Sequence, residues 1–151
     1  MEKVVIAGAS RTAMGGFQGV FSGVPAADLG GTAIRAALED AGAAPQAVED
    51  LLMGCVLPAG QGQAPARQAG FRAGLGEEVP ATTLNKMCGS GMKTVMMAHD
   101  RIALGGAGVM VAGGMESMTE APYILPKMRG PTGTRPANHP YPMNHRASVD
   151  D

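Results

Sequence analysis

Cys88 lies in the run Leu84-Asn85-Lys86-Met87-Cys88-Gly89-Ser90-Gly91-Met92-Lys93, where an extended stretch gives way to a helical pattern. The thiolate is the nucleophilic form of cysteine. The first turn of a helix carries unpaired N–H groups and the positive end of the dipole, which favours an anion there. Lys86 and Lys93 place positive charge nearby in the sequence. Gly89 and Gly91 keep the surroundings small, so a substrate can approach the backbone and amides can face a developing oxyanion. The chemistry this suggests is covalent catalysis, with a thiol taking up a group and passing it on. A small buried cysteine also fits the same residues.

Other reactive side chains read as structural. Cys55 falls inside the apolar run Leu51 to Leu57 and is expected to be inert core. His99 lies beside an apolar helical stripe, with a packed or surface role. Glu116 follows Gly113-Gly114 and is expected to cap or solvate a strand end. Arg11 and Arg67 suit paired structural or interface positions. His139-Pro140 sits in a Pro-rich stretch, with nothing around it to hold a base in place. The sequence points to no metal and no resident cofactor.

The elements that must position Cys88 follow from hydrophobic periodicity. Val4 to Ala9 reads as a buried strand, and residues 15 to 23 as a Gly-rich loop. A helix begins near Pro25 and ends at Ala41-Gly42, with Leu29, Ala33, Ala36 and Ala37 on one face. A strand within residues 48 to 57, a helix over 64 to 73 and an extended run over 81 to 84 follow. The third helix starts near Cys88 and ends at Leu104, apolar at Met92, Val95, Met96, Ile102 and Ala103. Gly108 to Ala112 is a further strand. The alternation places the chain in the α/β class, a sheet layered with helices.

The totals narrow the function classes. The 151 residues carry 12 basic and 13 acidic side chains, a balance that argues against nucleic acid or an anionic membrane as partner. Two cysteines make no disulfide framework. No apolar run approaches the roughly 20 residues of a membrane span. The amino end reads as neither a signal nor a transit peptide, so a cytoplasmic protein is expected. Six of the eleven prolines lie beyond residue 121, at 122, 126, 131, 136, 140 and 142, without helical or strand periodicity between them.

The block from Pro80 to Lys93 resembles the acyl-enzyme region of thiolases. Further segments agree in order: Arg11-Thr12 with Gly15-Gly16-Phe17, Met53-Gly54 with Val56-Leu57, Gly60 to Gln68, and Val111 to Met118. The resemblance covers residues 3 to 127. It implies a thiolase-like N-terminal half with a mixed sheet, and an acyltransferase in fatty acid metabolism with Cys88 as nucleophile. By the same resemblance, Cys88 is acylated by acetyl-CoA, acetoacetyl-CoA or a 3-ketoacyl-CoA, and passes the acyl group to acetyl-CoA or free CoA. Coenzyme A thioesters are then substrates, and a complete enzyme forms a homodimer or homotetramer.

Thiolases also use a His in a Gly-His-Pro setting, an Asn–water oxyanion site and a second Cys from a C-terminal half. They complete the sheet with a strand beyond a loop region, and pair a strand near Ala81 to Asn85 with a second subunit. The chain is therefore expected to be a shortened thiolase with little turnover alone: residues 1–127 a partial domain, residues 128–151 an irregular Pro-rich tail without family resemblance. A non-catalytic subunit pairing with a full-length thiolase is the alternative. A dinucleotide-binding domain fits poorly, because Ser10 and Ala13 break the Gly-x-Gly-x-x-Gly spacing.

Overall fold

A computed structural model describes residues 3–124. The order of elements is α1 (Ala26–Ala41), β1 (Asp50–Gly54), α2 (Pro65–Ala73), β2 (Ala81–Leu84), α3 (Ser90–Ala103) and β3 (Met110–Gly114), with short 3-10 turns at Pro45–Ala47 and Met118–Glu120. The strands form one sheet in the order β2-β1-β3, and both pairings are parallel. Leu51 lies opposite Ala81 on one side and Val111 on the other, so β1 is the central strand. It is buried along its whole length, as expected of a parallel strand covered on both faces. The α/β layering matches the sequence reading. The antiparallel member that a mixed sheet implies is not among the described residues.

One side of the sheet is covered by α1 and α2. Their crossing is set by Gly30 and Gly31: a Cβ at Gly30 would lie 3.2 Å from Ala69 Cβ, and one at Gly31 would lie 3.1 Å from the Ala69 carbonyl oxygen. That close approach rotates α1 relative to the face read from the sequence. Ala27, Gly30, Gly31, Ile34 and Leu38 are buried, whereas Leu29, Ala33, Ala36 and Ala37 lie at the margin. Both helices end on a left-handed glycine, Gly42 at φ 62° and Gly74 at φ 89°. Leu51, Met53, Val48, Leu75 and Val79 fill the space beneath.

The other side is covered by α3, whose apolar stripe does not face the sheet. The buried residues of α3 are Ser90, Thr94 and Ala98, while Met92, Val95 and Met96 are exposed. The reason lies in the strand ends. β3 finishes in Gly113-Gly114 and β1 in Gly54, so α3 comes too close for anything larger than Ser, Thr or Ala at i, i+4 and i+8. Thr94, with no exposed surface, donates its hydroxyl to the Gly91 and Gly113 carbonyls.

Residues 4 to 9 also differ from expectation. They are extended but form no strand, and Val5 and Ile6 are 69% and 80% exposed. A strand exists only with a partner backbone, and here the segment lies along the end of α1 instead. Gly8 sits against Ala37 and Ala41, and the Ala9 amide donates to Asp40 Oδ2 at 3.0 Å. The Pro-rich residues 128–151, with His139, fall outside the described residues.

Asp50 starts β1 almost wholly buried, and its Oδ2 meets Arg101 Nη1 of α3 at 3.1 Å while Oδ1 has no partner. Removing that guanidinium leaves a buried carboxylate uncompensated. Arg101→Ala is expected to cost about 2 kcal/mol, below the usual figure for a fully buried pair because Arg101 is half exposed. Urea unfolding checks this as a lower midpoint at unchanged slope.

Candidate functional site

The carboxyl ends of β1 and β3 and the amino end of α3 meet at glycine. A Cβ at Gly54 would lie 2.6 Å from Ser90 Cβ and 2.8 Å from the Gly91 amide nitrogen. One at Gly114 would lie 3.3 Å from Gly91 Cα. The first turn of α3 therefore rests on strand backbone with no side chain between. Gly91, expected to give a substrate room, is used for this contact. Gly89 is the open one: a Cβ there would meet only the Lys86 carbonyl, at 3.5 Å.

Cys88 stands one residue before the helix cap Gly89 and is exposed. The turn that carries it is held at Met87, a non-glycine residue at φ 49°. This left-handed conformation costs about 1–2 kcal/mol, so it persists only if its neighbours hold it. Three groups do. Asn85 Oδ1 accepts from the Met87 amide at 2.9 Å. Ser90 donates its hydroxyl to the Met87 carbonyl at 2.6 Å, and the Ser90 amide donates to the same oxygen at 3.0 Å. Ser90 Oγ also accepts from the Lys86 amide at 2.8 Å. The Lys86 side chain is exposed and Lys93 is half-buried.

Cys55 is the opposite case. It is 1% exposed at the end of β1, its thiol donates to Glu116 Oε1 at 3.6 Å, and Gln61 Nε2 donates to its sulfur at 3.4 Å. Burial first, and then the Glu116 charge, push this thiol above its ordinary 9.0. Glu116 is spent on backbone, accepting from the Val56 amide at 2.8 Å and the Leu57 amide at 3.3 Å. It caps a strand end, as its position after Gly113-Gly114 suggested.

The remaining candidates lie apart. His99 is exposed and faces its neighbour Asp100 at 3.2 Å. Arg67 donates to the Val79 and Glu77 carbonyls and stacks on Phe71 at 4.7 Å, a structural role. Arg11 donates to the Thr12 carbonyl and lines a cavity of about 440 Å³ between residues 10 to 17, α1 and the end of β3. Cys88 does not line that cavity. Among the described residues no group of three or more His, Cys, Asp or Glu is placed to hold a metal. No described helix is long and apolar enough to cross a membrane. Asn85, Ser90 and Val56 were given no role in the sequence reading. An Asn two residues before the Met87 amide it binds is an Asx-turn signal that could have singled out Asn85.

An exposed cysteine thus stands before a helix on the carboxyl side of a parallel sheet, and sequence comparison gives the family. Residues 4–145 match the family described as the thiolase N-terminal domain. The chain belongs to that family. It is 53% identical over 129 residues to an acetyl-CoA acetyltransferase of Cupriavidus necator, covering 85% of this chain and 33% of the relative. It is 48% identical over 150 residues to one from Pseudomonas aeruginosa, covering 99% of this chain and 36% of that one. A mitochondrial acetyl-CoA acetyltransferase B of Xenopus laevis is 52% identical over 133 residues, covering 88% and 32%. The chain thus spans about a third of the length of the relatives it matches. The match runs past residue 127, where the sequence reading ended the resemblance, so the change of composition there is not the end of the likeness.

The two thiols should separate in reactivity. Site-resolved alkylation of the native chain at pH 7 is expected to label Cys88 and spare Cys55, with both labelled in denaturant. Because the fold raises the Cys55 thiol, the unfolded chain gives up that proton first as pH rises through 9.0. Folding stability contributed there is present below that pH and declines above it. Cys55→Ala is expected to flatten the decline in urea midpoints.

Proposed function

We propose that this chain supplies the nucleophile half of a thiolase-type acyltransferase, with Cys88 as the residue that carries the acyl group. The single supporting observation is an exposed thiol held before the first turn of α3 by a turn fixed from both sides. The Cys88 thiolate attacks the carbonyl carbon of acetyl-CoA or a 3-ketoacyl-CoA. Attack forms the bond to the Cys88 sulfur, and collapse of the tetrahedral oxyanion breaks the bond to the leaving group: the C–S thioester bond of acetyl-CoA, or the C2–C3 bond of a 3-ketoacyl-CoA attacked at its 3-keto carbon. From acetyl-CoA the leaving group is the CoA thiolate; from a 3-ketoacyl-CoA it is the enolate of acetyl-CoA. Each is protonated on release. In the second half-reaction the acyl group goes to the carbon of an acetyl-CoA enolate or to the sulfur of CoA. Dividing the transfer this way replaces one difficult step with two easier ones.

The relatives named acetyl-CoA acetyltransferase support acetyl-CoA as the first acyl donor. The base and second oxyanion site that the resemblance implies would come from the length of those relatives that this chain does not span. Homo-oligomeric assembly and a cytoplasmic location belong to the same proposal, although relatives include both bacterial and mitochondrial proteins. A second reading, a non-catalytic subunit that joins a longer thiolase, is favoured by the position of β2 at the sheet edge and by the exposed Met92, Val95 and Met96.

Intact-protein mass spectrometry after incubation with acetyl-CoA tests the first reading. One acetyl group is expected on the chain, mapped to Cys88 and absent from Cys88→Ser. Acetylation that survives Cys88→Ser, or no acetylation at all, rejects it. The second reading predicts no adduct together with co-purification of a full-length thiolase.

A further inference from the structure

Val56 follows β1, and its peptide to Leu57 is bonded at both ends. Its carbonyl accepts from Asn85 Nδ2 at 3.2 Å, and the Leu57 amide donates to Glu116 Oε1 at 3.3 Å. Glu116 also takes the Val56 amide on Oε2 at 2.8 Å, and the Met115 amide beside it donates to the Gly54 carbonyl at 2.9 Å. Asn85 turns its other atom, Oδ1, to the Met87 amide at 2.9 Å. A continuous path of hydrogen bonds therefore runs from Glu116 at the end of β3, through the Val56–Leu57 peptide after β1, to Asn85 after β2, and ends on the residue before Cys88. Donor and acceptor alternate along it, so each bond polarises the next.

We infer that Glu116 and Asn85 are positioning residues for Cys88, acting as one unit that keeps Met87 in its left-handed turn and so fixes where the thiol stands. This rests on the reading of Cys88 as the acyl-accepting residue. It differs from the bland role of Glu116 as a strand-end cap in predicting an effect at a distance. A local cap orders only residues 55 to 57. A positioning path also changes the backbone at Met87.

The test uses the full chain with Glu116→Ala, Asn85→Ala and the double variant, read two ways. Backbone resonances report the conformation of Met87 and Cys88 without any substrate. Acetylation of Cys88 by acetyl-CoA, followed by mass, reports the consequence. Each single variant is expected to move the Met87 and Cys88 resonances away from left-handed values and to slow acetylation about tenfold. The double variant is expected to be no slower than the worse single one, because both break the same path. Glu116→Gln keeps one acceptor oxygen and is expected to recover most of the rate. Should the alanine variants fail to fold, Asn85→Asp carries the same resonance test, since Asp keeps the acceptor for Met87 and loses the donor to Val56. The inference is overturned if substitutions at Glu116 move only residues 55 to 57, or if the two single effects multiply. A wild-type chain that takes no acetyl group rejects the proposed function, and the resonances still decide the path.

Discussion

The amino end of α3 touches strand backbone directly, and most of what is specific to this fold follows from that contact. It requires Gly54 to have no Cβ, because one would lie 2.6 Å from Ser90 Cβ, and it leaves Gly114 little room, since a Cβ there would lie 3.3 Å from Gly91 Cα. It limits the inner face of α3 to Ser90, Thr94 and Ala98, and it sends Met92, Val95 and Met96 outward. It also sets the short span from β2 to α3, in which the chain must reverse between Leu84 and Ser90. Met87 turns the chain there at φ 49°. The cost is met by hydrogen bonds from Asn85 and Ser90, not by glycine.

The two cysteines show how position decides chemistry, one directly after β1 and the other four residues beyond β2. Cys55 is still within the buried line of β1, where desolvation and the Glu116 carboxylate both favour the neutral thiol. Cys88 is beyond the end of β2, where the chain has left the core and the helix has not yet begun. A thiol that must accept a bulky thioester needs the second environment, since the first admits no reactant. The same carboxylate that quiets Cys55 holds the loop on which Asn85 leans. One acidic group thus serves an inert sulfur and, through backbone, an exposed one.

Much of this was legible in the sequence. The three helices, the three strands and the α/β layering follow from apolar periodicity with Pro and Gly at the boundaries, and Cys88 stood out from its Gly-rich setting. Orientation was less legible. Periodicity picks out an apolar stripe on α3 but not which side meets the sheet, because the contact depends on how close two backbones come, which Gly54 and Gly114 decide together. Val4 to Ala9 has the composition of a buried strand, yet pairing depends on a partner edge that local sequence does not encode. The roles of Asn85 and Ser90 depend on one turn at Met87, which β-turn statistics assign to Gly or Asn before they assign it to Met.

Nuclear Overhauser contacts in the unmodified chain measure that seat most directly. The α-protons of Gly91 and Gly114 should give a strong cross-peak, as should Gly54 with the β-protons of Ser90, while the Met92 side chain shows no contact to the sheet. Cross-peaks from Met92 or Val95 to β1 or β3, with none between Gly91 and Gly114, would mean that α3 lies the other way round and that Cys88 is not presented as described.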